Sequence, residues 1–248
     1  MTPNDQPPEF VTRADGVRLA FRYLPGNGPT LVFLPGYMSD MQGSKALALA
    51  AWAGAHGRAM LRLDYSGCGE SEGGFENGTL DIWRDDVFAV IQHLSVGPII
   101  LVGSSMGGWL MLLVAKVLVE QVVAMVGIAA APDFTDWDFN AEDRAEIEAK
   151  GRIERPSGYG YGPMVITQRF WQSGQDNRQM NGEIAIDCPV RLIHGQSDPD
   201  VPWNTSVRLA EKLRSSDVQT ILIKDGDHRL SRGQDISFLI DVVSKLVS

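Results

Sequence analysis

A chain of 248 residues, 44% apolar and 21% charged, has the size and composition of one large α/β domain with an insertion, enough to bury a sizeable core. With 31 acidic against 22 basic side chains, its net charge of −9 opposes close approach to nucleic acid or to an anionic membrane surface. Cys68 and Cys188 are too few for a disulfide framework and have no CxxC or Cys/His ligand spacing, so neither a metal nor another cofactor is expected. The stretch MTPNDQPPEF has no basic or apolar leader pattern. The longest apolar runs are broken by Lys116 and by Glu120 before about 18 residues accumulate. A cytoplasmic enzyme with no stable membrane insertion is the expectation.

In chain order, VRLAFRY (17–23) alternates and runs into PGNGP, which predicts a strand and a turn, and TLVFLP (30–35) and RAMLRLDY (58–65) predict two more strands. Between those two lies GSKALALAAWAGAHG, helical by its Ala/Leu content. In TLDIWRDDVFAVIQHLS (79–95), apolar residues at 80, 83, 87, 90, 91 and 94 form a helical stripe with Thr79 as its cap. A strand IILVGS (99–104), a helix over 106–119 and a strand VVAMVGIAAA (122–131) follow. Repetition of strand, helix, strand at this spacing predicts a mostly parallel sheet covered on both faces.

The pattern stops at residues 132–188, which are rich in charges and aromatics (Phe134, Trp137, Phe139, Tyr159, Tyr161, Phe170, Trp171) and show no strand alternation. This segment is expected to be an inserted lid on a core made of 1–131 and 189–248. Its 11 acidic and 6 basic residues, a net of −5, should repel multiply anionic substrates such as acyl-CoA. Its aromatics either pack the lid or line an acyl channel, and Trp137 and Trp171 are the candidates for a substrate pocket. Arg144, Arg152 and Arg155 read as a solvated helix face, with an anion clamp as the minor alternative. Regular order resumes with PVRLIHG (189–195), a helix over 203–214, the strand VQTILIK (218–224) and a closing helix over 234–247.

Chemistry concentrates at strand ends, where an open parallel sheet collects reactive groups. Gly103-Ser104-Ser105-Met106-Gly107 stands between a strand and a helix, and Gly-x-Ser-x-Gly there forms a tight turn that lifts the serine hydroxyl clear. Ser105 has the required spacing, and Ser104 is the alternative. A serine nucleophile needs a base and a group to orient it. Of four histidines, His56 and His93 fall at helix ends, His194 ends a strand as a polar core candidate, and His228 lies in the loop after the last strand, where a base would reach Ser105. Asp198 follows the strand RLIHG and precedes His228, giving the order Ser, Asp, His, with Asp200 as its competitor. Asp225 and Asp227 read as a charged turn. Backbone N–H groups of Met106 and Tyr37 are the expected oxyanion donors, Gly36 letting the second chain segment approach.

The segments LPGYMSDMQGSKA, LRLDYSGCGESEG, ILVGSSMGGWLML, RLIHGQSDPDVPW and GDHRLS resemble the α/β-hydrolase family over about residues 30–240, and within it the mitochondrial palmitoyl-protein thioesterases. The resemblance implies the α/β-hydrolase fold and a serine hydrolase with Ser105, Asp198 and His228 at the triad positions. It implies an acyl-enzyme intermediate, with a small acyl ester or thioester or an S-acylated protein as substrate, acyl glucuronides included. Two departures stand out: no transit peptide is read at the start, and residues 137–183 match less well. A bacterial relative is expected. Members of this fold that attack alkyl halides or epoxides use aspartate at the turn, and here it is serine. The loop DYSGCGES looks superficially like a dinucleotide fingerprint, but no helix begins at once. A peptidase and a non-catalytic ligand-binding protein on the same fold are the alternatives.

Overall fold

The structure, a computed structural model, describes residues 6–156 and 162–247. Its elements run β1 (Glu9–Thr12), β2 (Arg18–Leu24), β3 (Asn27–Leu34), α1 (Ser44–Ala55), β4 (Arg58–Leu63), α2 (Leu80–Leu94), β5 (Ile99–Ser104), α3 (Met106–Ala115) and β6 (Val122–Ile128). An insertion follows, with α4 (Phe134–Trp137), α5 (Ala141–Lys150), β7 (Arg152–Arg155), β8 (Met164–Thr167) and α6 (Gln168–Asp176). The chain closes with β9 (Val190–Gly195), α7 (Asn204–Lys212), β10 (Val218–Ile223) and α8 (Gly233–Ser244).

Eight strands form one sheet in the order β1-β2-β4-β3-β5-β6-β9-β10, antiparallel at the β1/β2 and β2/β4 pairs and parallel from β4 to β10. Every residue of β5 is buried, as a central strand covered on both faces requires. Alternation along β3 divides the core: Leu31 and Phe33 join the α1 and α8 side, with Leu49, Ala53, Leu239 and Val243, while Val32 and Leu34 join the α2 and α3 side, with Trp83, Val87, Trp109 and Leu110. The mostly parallel α/β sheet is thus the α/β-hydrolase architecture expected from the sequence. Thr79 caps α2, its hydroxyl accepting from the Ile82 N–H at 3.2 Å.

Two expectations need correction, and one strand is additional to those expected. Strand β1 escaped notice because four residues, EFVT, of which only Val11 is even half-buried, carry no apolar alternation. The insertion holds a two-stranded antiparallel hairpin, β7 with β8, although no strand was expected there; each strand has four residues, too few to show a period. Tyr159 and Tyr161 lie outside the described residues. Arg152 and Arg155 sit on β7 and not on a helix face. Arg155 is half-buried, donates to the carboxylates of Asp138 and Asp143 at 2.6 Å each and stacks 4.1 Å over the Phe139 ring. That guanidinium is engaged within the insertion and leaves no anion clamp at this position. Arg144 is on α5, and donates to the Asp136 carbonyl oxygen at 2.8 Å.

Polar side chains tie residues 132–188 together and fasten them to α2. Asp133 accepts from the backbone N–H groups of Gln179 and Met180 at 2.7 and 2.8 Å, tying its beginning to its end. Asp81 on α2 accepts from Ser173 Oγ and Asn177 Nδ2 of the segment around α6. Phe134, Phe139, Ile147, Ile153, Ile166 and Phe170 are buried in the same apolar cluster as α2 and α3.

Candidate active site

Strand β5 ends at Ser104 and α3 begins at Met106, so Ser105 alone makes the turn, at φ 54° and ψ −120°. Two positions away on either side, at 103 and 107, only glycine fits. A Cβ on Gly107 would meet the Leu34 carbonyl oxygen at 2.0 Å, and one on Gly103 would meet that of Gly107 at 2.3 Å. The strained turn is pinned from outside: the Ser105 N–H donates to the Ile128 carbonyl at the end of β6, and its own carbonyl accepts from Gly108 and Ala131.

Ser105 Oγ lies 3.1 Å from His228 Nε2, and His228 Nδ1 lies 2.8 Å from Asp198 Oδ2. With Nδ1 donating to the carboxylate, Nε2 is the acceptor for the serine hydroxyl. The Asp198 side chain has no exposed surface and that of His228 is 14% exposed. Burial pushes the Asp198 carboxyl up, but hydrogen bonds from His194 and His228 outweigh it and hold the group below the usual carboxylate range. Its Oδ1 accepts from the backbone N–H groups of Asp200 and Val201, at 2.8 and 2.9 Å. Asp200 is exposed and supplies this loop with a backbone donor, so the residue facing His228 is Asp198 and not its competitor. Asp225 pairs with Arg232, and Asp227 accepts from the Leu230 N–H, as in a charged turn.

The segment after β3 passes directly beside the serine. A Cβ built on Gly36 would stand 3.3 Å from the Ser105 Cβ. The next N–H, of Tyr37, makes no hydrogen bond among the described residues, and the Met106 N–H opens α3, where no intrahelical acceptor exists. The Tyr37 side chain does what the sequence did not reveal. Its hydroxyl donates to the Val165 carbonyl oxygen on β8 at 2.6 Å, and its ring packs 4.6 Å from Phe170 and 5.1 Å from Phe75. Burial drives its phenol pKa far up, so it stays a donor.

Other candidates fall outside this chain of contacts. Trp137 and Trp171 are half-buried, their indole N–H groups donating to the carbonyls of Pro132 and Thr135. His56 bonds the Trp52 carbonyl at the end of α1, and His93 sits exposed in the last turn of α2. The DYSGCGES loop is folded around Asp64, which accepts from the N–H groups of Met41 and Glu70; burial raises that carboxyl to about 6. Burial also raises the Cys68 thiol to about 12, which leaves it inert as a nucleophile. Asp198, Asp200 and His228 each bring one ligand-capable atom within 4.8 Å of the others, but Asp198 and His228 are already engaged with each other. His194, expected from the sequence as a polar core residue, is wholly buried and, unlike these, joins the chain of contacts, with Nε2 3.1 Å from Asp198 Oδ2.

The family model described as "Alpha/beta hydrolase family" matches residues 31–235. The chain belongs to the α/β-hydrolase family. Among its relatives, this hydrolase is 41% identical over 242 residues to human "Palmitoyl-protein thioesterase ABHD10, mitochondrial", covering 96% of this chain and 79% of that protein. It superposes on mouse "Alpha/beta hydrolase domain-containing protein 10" with TM-score 0.91 at 39% identity, covering 98% of each chain. A crystal structure from Agrobacterium vitis S4 matches equally well, with TM-score 0.91 and 38% identity over 98% of this chain and 100% of that one. No helix of the described residues in this hydrolase is long and apolar enough to cross a membrane.

Proposed function

We propose that this α/β-hydrolase cleaves carboxylic esters and acyl thioesters, S-acylated cysteine among them, through an acyl-enzyme on Ser105. The observation that carries the reading is the unbroken hydrogen-bonded line from Ser105 Oγ through His228 to a buried carboxylate, at 3.1 and 2.8 Å. His228 Nε2 takes the hydroxyl proton as Oγ attacks the acyl carbon. The N–H groups of Tyr37 and Met106 receive the oxyanion, and the imidazolium then protonates the departing alcohol or thiol. Water repeats the sequence to release the acid. The human relative is named as a palmitoyl-protein thioesterase, which supports a thioester as one substrate. A peptidase would need firmer protonation of a leaving amine, so turnover of a matched aryl ester, acyl thioester and dipeptide amide tests the reading. Ester and thioester hydrolysis without amide hydrolysis is the expected result, and preferential amide hydrolysis contradicts it.

Protonated His228 cannot accept the serine proton, whereas Asp198 is held ionised well below neutrality. The ratio kcat/KM is therefore expected to rise with pH as His228 deprotonates, and to do so alike for ester and thioester, since both share the acylation step. A pH profile that differs between the two leaving groups would contradict a common base.

Residues 132–188 are the lid in this reading, and Trp137 and Trp171 line the acyl side of the pocket. With both indole N–H groups engaged, only apolar ring faces are left to meet a chain. Trp137→Ala and Trp171→Ala should each weaken kcat/KM for a palmitoyl substrate by about 1 to 3 kcal/mol while sparing an acetyl ester. Equal losses for acetyl, octanoyl and palmitoyl substrates would show rings that only pack the lid.

A further inference from the structure

One oxygen of Asp198 serves two imidazoles. His228 Nδ1 donates to Oδ2 at 2.8 Å, and His194 Nε2, on β9, lies 3.1 Å from the same atom and 3.1 Å from the Val201 carbonyl oxygen. Both neighbours of that nitrogen are acceptors, so Nε2 carries the ring proton and donates to both. In the neutral ring Nδ1 then accepts, and the hydroxyl of Ser206 on α7 donates to it at 2.7 Å. The donors thus run from Ser206 to His194 to Asp198 on one side, and from Ser105 to His228 to Asp198 on the other. Both His194 and Ser206 are buried.

We propose that His194 is a positioning residue for the reaction, fixing the Asp198 carboxylate toward His228 and moderating how strongly it holds the His228 proton. The proposal rests on the reading of Ser105, His228 and Asp198 as the reacting groups. A carboxylate oxygen that receives two N–H donors divides its charge between them. Without His194 the full pull falls on His228, whose imidazolium is then stabilised and gives up its proton only at higher pH. The buried carboxylate would also lose one of the two side-chain bonds that offset its burial. The charged and titratable groups around the pair are His194 on β9, Asp200 in the loop after it, Asp227 and Arg229 beside His228, and Lys45 of α1, whose ammonium donates to the Arg229 carbonyl. None of these but His194 changes in the variants below.

The experiment is kcat/KM against pH for an aryl ester with His194→Phe, His194→Gln and Ser206→Ala, folding being followed by circular dichroism. Phe fills the ring's space without a donor: its plateau should fall about tenfold or more, and its acidic limb should move to higher pH by roughly half a unit or more. Gln places an amide donor near the position of Nε2 and should keep the wild-type limb. A Phe variant with an unmoved limb overturns the proposal, as does a Gln variant that moves as far as Phe. If the Phe variant does not fold, Ser206→Ala carries the test, because it removes the hydrogen bond that anchors the ring's other nitrogen and so loosens the Nε2–H against Asp198: a smaller shift in the same direction supports the proposal and an unmoved limb overturns it. Failure of the triad itself would be read separately, from an active Ser105→Ala variant.

Discussion

Replacing Ser105 with Ala is expected to lower ester turnover on the order of 10⁴- to 10⁶-fold. The hydroxyl makes no core packing, and its partner His228 is partly exposed and able to find water. The backbone of the turn remains held by the Ile128, Gly108 and Ala131 hydrogen bonds. Thermal melting and circular dichroism should therefore match the wild type while steady-state kinetics collapse. A variant that keeps more than about a tenth of the rate would place the nucleophile elsewhere, since a lost triad serine leaves only the contribution of binding and oxyanion stabilisation. Ser104 would then be the next residue to replace.

The second large effect is expected at Asp198. In Asp198→Asn the N–H groups of Asp200 and Val201 still require an acceptor where Oδ1 stood, so the amide oxygen stays there and the NH2 group is turned toward His228. An NH2 facing Nδ1 favours the tautomer with the proton on Nε2, where it can no longer take the proton of Ser105. A loss on the order of 10⁴ in kcat is expected. Asp200→Asn keeps its backbone donor and alters only an exposed side chain, so its kcat should stay within about threefold of wild type, as surface substitutions away from packed groups do. Equal losses at the two positions, measured on the same substrate, would leave Asp198 without a distinct role.

Much of this site was legible because chemistry here is bound to strand ends that the sequence marks strongly. Four apolar residues, Ile99 to Val102, and the glycines two positions to either side of Ser105, Gly103 and Gly107, identify the turn; the strand RLIHG places Asp198, and VQTILIK places the loop of His228. What stayed hidden depends on contacts between distant segments. The bond from Tyr37 to Val165 spans 128 positions in the chain and joins the segment beside Ser105 to a hairpin whose strands are four residues each. His194 read as a polar core residue because nothing in the alternation of β9 shows that its ring meets the loop turning back over it. Arg155 looked solvent-facing because Asp138 and Asp143, its partners, sit on either side of a capped helix start that only the fold brings to β7.

The assignment of Ser105 as the group that becomes acylated is tested most directly by reaction with a fluorophosphonate, followed by digestion and tandem mass spectrometry of the labelled peptide. Such a probe captures a serine only where a neighbouring base has made its oxygen nucleophilic. The expected result is one phosphonyl adduct per chain, on Ser105, absent from the His228→Ala protein under the same exposure. No adduct at all, or an adduct on Ser104, Cys68 or any other residue, would contradict the account.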